Sequence, residues 1–544
     1  MDIQAIKEKH KLLKEFSYDW VPLDKGYTDK ILYVNVGSKE IMEKDVPLEM
    51  KEKFIGGKGY GLRLLWDATD PRTPWDDPKN EIIISSGPIG GITQYSGTGK
   101  SLVVSISPQT DSVMDSNVGG FFGPFLKFAG YDALELQGKA EEDVIIFIDG
   151  VNHKIEIIEA PAEEADSHML AEQLTEMYAD DEKDKRNIGV VSAGSAAENS
   201  LIGMLNFSFY DPKRKVVRLK QAGRGGIGTV FRDKKIKALV CKIPGVKGNL
   251  NNVVDLEAIR ERGKRFNREM REFDHEQARM TEVGTAHLME IMNDHDLLPT
   301  NNYKFGSHPD TVNIDSHEWK KRFTQGVPDG CWIGCNMSCA KGVDNYEVRT
   351  GPYKGQKVIV DGPEYENAGG LGSNCGIFNS DYIIEANFYC DTYGICTISW
   401  GTLLAFIMEC YEKGILNEER TGGLKLNFGN ADSAMELIHQ LSRGEGFGLV
   451  AGMGVRKMKK MFVEKGWGDA DFLSDIGMEN KGLEYSEYIS KESLAQQGGF
   501  AMTNKGPQHD EAWLIFMDMV NNQIPTFEDK AEALHYFPMF RTWF

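Results

Sequence analysis

Nowhere in the 544 residues is there a run of roughly 18 apolar residues, the length a membrane-spanning helix needs. The first residues, Met1-Asp2-Ile3-Gln4-Ala5-Ile6-Lys7, carry charges where a secretory leader needs an apolar core. These absences point to a cytoplasmic chain with no membrane insertion. Positive charge is short as well: 62 Lys and Arg face 82 Asp and Glu, a formal net charge of -20. That argues against a nucleic acid or an anionic membrane as the main partner. No internal repeat or low-complexity linker is visible, so the parts are expected to pack tightly. Cysteine is scarce too, with eight in all, and three of those fall between positions 331 and 339. Extracellular disulfides are not normally packed that way, whereas metal ligands often are.

What is present is a soluble globular composition, 41% hydrophobic and 26% charged, in a chain long enough for two or three domains. Residues 1–28 are polar and helix-like and read as an N-terminal extension. From 29 to 243 short β-type runs dominate: Ile31–Val36, Glu81–Ser85, Ser101–Ile106, and Val144–Ile148 entering a turn at Asp149-Gly150. From 244 to 544 the period lengthens. Leu256–Arg271, Asp381–Tyr389 and Ala431–Leu441 read as amphipathic helices, the last with Asp432 and Ser433 as capping candidates. The expected class is α+β: a β-rich base followed by mostly helical domains.

Much of the glycine, 58 residues in all, is clustered, as in Gly56-Gly57-Lys58-Gly59-Tyr60-Gly61 and Gly119-Gly120-Phe121-Phe122-Gly123-Pro124. Such clusters let backbone amides approach a large ligand. Gly223-Arg224-Gly225-Gly226-Ile227-Gly228 has the spacing of a dinucleotide-binding turn. Charged stretches precede it and a strand-like run follows, so no buried strand and helix are expected to flank it. Gly99-Lys100-Ser101 resembles the end of a phosphate-binding loop, but position 94, where the first glycine belongs, is Gln94.

The sharpest chemical signal is Cys331-Trp332-Ile333-Gly334-Cys335-Asn336-Met337-Ser338-Cys339. Three thiolates in one short segment can hold three corners of an iron–sulfur cube. A set of buried free cysteines is the bland alternative. Zinc would call for a fourth Cys or His at finger-like spacing, and none is nearby.

Beside this motif, Asp115-Ser116-Asn117-Val118-Gly119-Gly120-Phe121-Phe122-Gly123-Pro124 and Lys127-Phe128-Ala129-Gly130-Tyr131-Asp132 resemble the N-terminal domain of the tungsten-dependent aldehyde:ferredoxin oxidoreductase family. So do Gly56-Gly57-Lys58-Gly59, Ser86-Gly87-Pro88 and Ala222-Gly223-Arg224-Gly225-Gly226. Gly362-Pro363-Glu364-Tyr365-Glu366 and Asp391-Thr392-Tyr393-Gly394-Ile395-Cys396 are similar to elements of its helical part. The likeness runs from about residue 29 to about residue 510, with the motifs in order.

The resemblance implies tungsten or molybdenum held by two pyranopterins, a 4Fe-4S cluster nearby, and Mg2+ bridging the pterin phosphates near Asn117. It places Asn117, Gly119, Ala222, Gly223 and Arg224 at the phosphates. Asp391, Ile395 and Cys396 fall in the first pterin-ring element, and Lys100, Lys220 and Lys505 among the cofactor contacts. Cys331, Cys335 and Cys339 become cluster ligands. Glu364 or Glu366, with His509, becomes the acid–base machinery. The implied reaction oxidises an aldehyde to a carboxylate and passes electrons through the cluster to ferredoxin or iron–sulfur subunits, in an oligomer or hetero-complex.

The chain departs from the family at several points. The cysteine spacing is x3 then x3 rather than x2 then x3, and Lys100 stands where the family has Arg. Tyr485-Ser486-Glu487-Tyr488 replaces the usual Asp-Pro-Arg. The family's second pterin-ring element and fourth cluster cysteine have no counterpart before Phe544, while Cys375 and Cys390 read as core. The aromatic tail Tyr536 to Phe544 suggests that the native protein continues or binds a partner there. Two other functions are weighed: the catalytic subunit of a tungsten-type benzoyl-coenzyme A reductase acting on an acyl-CoA, and an inactive fragment or structural subunit.

Overall fold

The structure is a computed structural model describing residues 2–274, 279–327 and 329–543. The first part contains two mixed sheets. Their strands are β1 Lys11–Ser17, β2 Lys30–Asn35, β3 Glu40–Asp45, β4 Ile82–Ser85, β5 Ser101–Ile106, β6 Val113–Val118, β7 Ala133–Gln137, β8 Val144–Asp149, β9 Lys154–Glu159, β10 Ile188–Ser192, β11 Leu205–Asp211, β12 Val216–Ala222 and β13 Ile236–Lys242. One sheet runs β3-β2-β7-β4-β5-β6 and the other β1-β9-β8-β13-β10-β11-β12. Only β2 with β7 and β8 with β13 pair in parallel.

Between the sheets lies helix Phe122–Ala129, buried along its whole length. Its Phe122, Phe125 and Phe128 pack with Val34 and Leu134 of one sheet and Ile146 and Leu239 of the other. Helix Lys58–Ala68 covers the outer face of the first sheet through Leu64 and Leu65. Helix Ser167–Tyr178 covers the second through Leu170 and Leu174. Completely buried strands such as β4 and β8 (Ile82-Ile83-Ile84, Val144-Ile145-Ile146) read as continuous apolar runs because both faces are covered.

The rest of the chain is mainly helical around a separate core. Helix Ser380–Tyr393 starts where the Asn379 side chain accepts from the Asp381 and Tyr382 amides, and stops at Gly394, φ 74°. Thr397–Glu412 follows at once, capped by Cys396. These residues pack against the first part: Cys396 N donates to Ile202 O (3.0 Å), and Ile395 bridges Gly203.

The class is α+β, a sheet-rich first part and a helical second part. Local expectations differ in three places. Residues 11–17 are not helical but form edge strand β1 on β9, a polar strand whose partner supplies the ladder. The turn at Gly223–Gly228 does have a strand before it (β12) and a short helix after it (Ile227–Asp233), contrary to the sequence reading; β12 nonetheless pairs antiparallel with β11, so no parallel dinucleotide sheet exists there. Helix Ala431–Arg443 is capped by Asn430, accepting from Ser433 N, and not by Asp432 or Ser433. Phe544, the last residue of the aromatic tail, lies outside the described residues. No described helix is long and apolar enough to cross a membrane.

Candidate functional site

The cysteine loop has neither helix nor strand of its own and is held by its neighbours. Trp332 is its anchor: buried, edge-on to Phe121 (5.3 Å) and Phe125 (6.3 Å), with Nε1 donating to Ile92 O at 3.3 Å. Asn336 N donates to Ser96 Oγ (3.1 Å), and Gly120 N donates to Cys331 O (3.1 Å). The contacts are close enough to demand glycine. A Cβ on Gly99 would stand 2.1 Å from Trp332 Cβ, and one on Gly119 would stand 2.6 Å from Cys331 Cβ. The loop is thus pressed onto the segment holding Asn117 and Gly119, and onto the turn holding Lys100.

Cys331, Cys335 and Cys339 are half-buried and free of disulfides. The Cys339 thiol is pushed up to about 12, first by burial, then by Glu364 and the Cys331 thiol; Lys100 opposes this. Among the described residues the three thiols do not converge into an assembled metal-binding group. Among the described residues an isolated parallel bridge from Asp329 to Cys339 is the loop's one ladder contact, and it does not bring the three sulfurs to one point, so thiolate–iron bonds would have to draw them together. Soft donors, a close cation and a glycine-lined seat fit an iron–sulfur cluster in kind.

Next to the loop runs a buried ionic network. Arg218, on β12, donates from Nε to Asp361 (2.9 Å) and from Nη1 to Asp329 (2.5 Å), just before the cysteines. Lys220 Nζ lies 3.5 Å from Asp361. Burial opposes the charge on Asp361, but Arg218 and Lys220 outweigh it and hold the carboxyl at about 2. Asp361 directly precedes Gly362-Pro363-Glu364, so this network sets the position of the carboxylates that follow.

Glu364 and Glu366 part company here. Glu364 caps the short helix Tyr365–Asn367 in a reciprocal box with Asn367 and accepts from Thr285 Oγ1. It faces Lys220 and Cys339 closely enough to raise both their pKa values, although burial is the largest influence on each and pulls Lys220 the other way. Glu366 turns to the C-terminal segment. Its Oε2 accepts from Glu487 N (2.9 Å), and its Oε1 lies 3.0 Å from His509 Nδ1, close but without an aligned N–H···O bond. His509 Nδ1 is also 3.1 Å from Ser486 Oγ, and the ring sits edge-on to Tyr488. Glu487, wholly buried, is pushed well above the carboxylate range by burial and by Glu366.

The phosphate candidates are divided. Asn117 is exposed, and a Cβ at Gly223 would meet nothing within 4 Å, so the chain is open on that side of Gly223, whereas Arg224 N donates to Ser116 Oγ (3.4 Å). Ala222 is buried at the end of β12. Arg224 instead clamps the C-terminal segment: Nη1 donates to Ser486 Oγ (3.0 Å) and Pro507 O (3.1 Å), Nη2 donates to Glu484 O, and Nε has no partner among the described residues. Lys505 is buried between Asp115 (2.7 Å) and Asp510 (2.6 Å), and Lys58 joins Asp115 to Glu511. The sequence reading missed Arg218, Asp361, Asp329, Thr285 and Glu487. Only Asp361, adjoining the Gly362-Pro363-Glu364 motif, offered a signal.

Residues 31–243 match the model of the aldehyde ferredoxin oxidoreductase N-terminal domain, and residues 261–544 that of domains 2 and 3. The chain therefore belongs to the aldehyde ferredoxin oxidoreductase family, a family of oxidoreductases. It is similar to a tungsten-containing aldehyde ferredoxin oxidoreductase of Pyrococcus horikoshii, 30% identical over 509 residues and covering 90% of this chain and 75% of the relative. An aliphatic sulfonate oxidoreductase, WOR-like subunit, from Pyrococcus furiosus is 30% identical over 448 residues, covering 79% and 66%. Among solved structures, the active site complex BamBC of benzoyl coenzyme A reductase shares the fold, with TM-score 0.66 at 22% identity, covering 85% of this chain and 66% of that one.

Proposed function

We propose that this chain oxidises a small aldehyde to a carboxylate at a tungsten or molybdenum bis-pterin, with electrons leaving through a 4Fe-4S cluster to ferredoxin or an iron–sulfur subunit. The observation that carries this is the seating of the cysteine loop on the Asn117–Gly119 segment, where Cys331 and Gly119 touch as only a glycine allows. Thiols of a kind suited to soft metals beside the exposed Asn117, in a chain of this family, support this reading. When bound, the pterin metal supplies two-electron redox chemistry with oxygen transfer, and the cluster supplies single-electron exit.

The residues divide the remaining work. Asn117, Gly119, Ala222 and Gly223 bind the phosphates with Mg2+ near Asn117, while Arg224 holds the C-terminal segment over them and offers Nε. Asp391, Ile395 and Cys396 form the first pterin-ring element, and Lys505, paired with Asp115 two residues before Asn117, is a further cofactor contact. Lys100 and Lys220 offset the negative charge of thiolates. Converting RCHO and water to RCOOH releases two electrons and two protons. His509 takes a proton and Glu366, 3.0 Å away, stabilises the imidazolium. Glu364, on the cluster side, positions Lys220. Anaerobic assay of small aldehydes with a low-potential dye tests this. Turnover with metal-replete protein is expected, and none would refute it.

A further inference from the structure

Native interiors leave few buried polar atoms without a partner, so a local accumulation of them marks a place built for something else. One lies where the second sheet meets helix Ser380–Tyr393. Asn206, on β11, is wholly buried; its Nδ2 donates to Asp391 O (3.0 Å) and Ser167 Oγ (2.9 Å), and its Oδ1 has no partner among the described residues. His168 stacks on Phe388 (5.4 Å) with Nδ1 2.8 Å from Thr392 Oγ1, and its buried Nε2 has no partner among the described residues. Asp391 is 4% exposed, and the hydrogen bond to its carboxyl among the described residues is a long one, from Asn387 Nδ2 at 3.4 Å. A single chain of contacts thus gathers an amide oxygen, an imidazole nitrogen and a carboxyl from both parts of the molecule.

We propose that Asn206 and His168 join Asp391 in receiving the pyrimidine edge of a pterin ring. The inference rests on the pterin reading above. That edge carries an amine, a ring N–H and a carbonyl oxygen side by side. Asp391 and Asn206 Oδ1 match the two donors, and His168 Nε2–H, with Nδ1 accepting from Thr392, matches the acceptor. Burial holds the imidazole down at about 4, so it enters neutral. An apolar core would gain nothing from keeping these groups unpaired.

The test is pterin per chain, read by fluorescence after oxidative release from anaerobically purified protein, with iron per chain as an internal reference. His168→Leu and Asn206→Leu are expected to keep their iron while pterin falls roughly fivefold to tenfold. Wild-type pterin content in both variants would overturn the inference. A wild-type protein with iron and no pterin would instead refute the functional reading on which it rests. If a leucine variant fails to fold, His168→Gln and His168→Met carry the contrast. Pterin kept by the first and lost by the second supports the assignment, and equal retention overturns it.

Discussion

Glu364 and Glu366 stand two positions apart, yet the fold sends them to different partners. Glu364 is drawn to Thr285, Lys220 and the cysteine side, whereas Glu366 meets His509 and the Glu487 amide. Glu366→Gln and His509→Ala are each expected to lower kcat by roughly 10²–10⁴-fold, the usual weight of a positioned acid or base. Glu364→Gln should spare more of kcat and disturb the cluster spectrum. Equal losses of kcat with an unchanged spectrum in all three would contradict the division. Cys335→Ser removes a proposed cluster ligand, so the broad absorbance near ~400 nm and the iron content should fall with the far-ultraviolet dichroism intact. Unchanged iron would count against the ligand assignment. Single residues were unevenly legible. Three cysteines in one short segment stand out as a motif, but nothing near Arg224 in sequence betrays its grip on Glu484, Ser486 and Pro507, because those partners are about 260 positions or more away.

Among elements, those that bury a continuous or alternating apolar face were readable. The Ser101–Ile106 run is a strand with the same bounds, and Leu256–Arg271 extends only to Phe273. Edge strand β1 was not, since Lys11–Ser17 is polar and takes its shape from pairing with β9. Helix Phe122–Ala129 hid inside a glycine cluster because burial on every side removes the amphipathic stripe. At this scale the cysteine loop is the element most sensitive to backbone fit. Gly99→Ala would push a methyl group into Trp332, 2.1 Å from its Cβ, and unseat the loop from the first part. The expected result is loss of most of the bound iron, measured colorimetrically, with global unfolding lowered by only about 1–3 kcal/mol. Iron retained at the wild-type level would mean that the loop is not positioned by this contact.

Across the whole molecule, the first and second parts are joined by buried charge as much as by apolar packing. Arg218, Asp361 and Asp329 tie β12 to the cysteine loop and to the Glu364 segment, while Asp115 of β6 and Lys58 of helix Lys58–Ala68 pair with Lys505 and Glu511 of the C-terminal segment. An unfolded aspartate titrates near ~3.9, whereas folded Asp361 is held at about 2. Its stabilising contribution is therefore complete above pH ~4 and is lost as pH falls through about 2. Asp361→Asn should flatten the acid-unfolding profile in that window. At neutral pH it should cost on the order of 2 kcal/mol, less than a fully orphaned buried charge because Asp329 still faces Arg218. A profile unchanged from wild type would show that the network does not hold the parts together.

In the proposed function these glycine segments and the cysteine loop form one redox site carrying a pterin metal and an iron–sulfur cluster. Elemental analysis of anaerobically purified protein tests it most directly. About one tungsten or molybdenum and about four iron per chain are expected, and protein free of iron and of both metals after growth with all three supplied would refute the shared site.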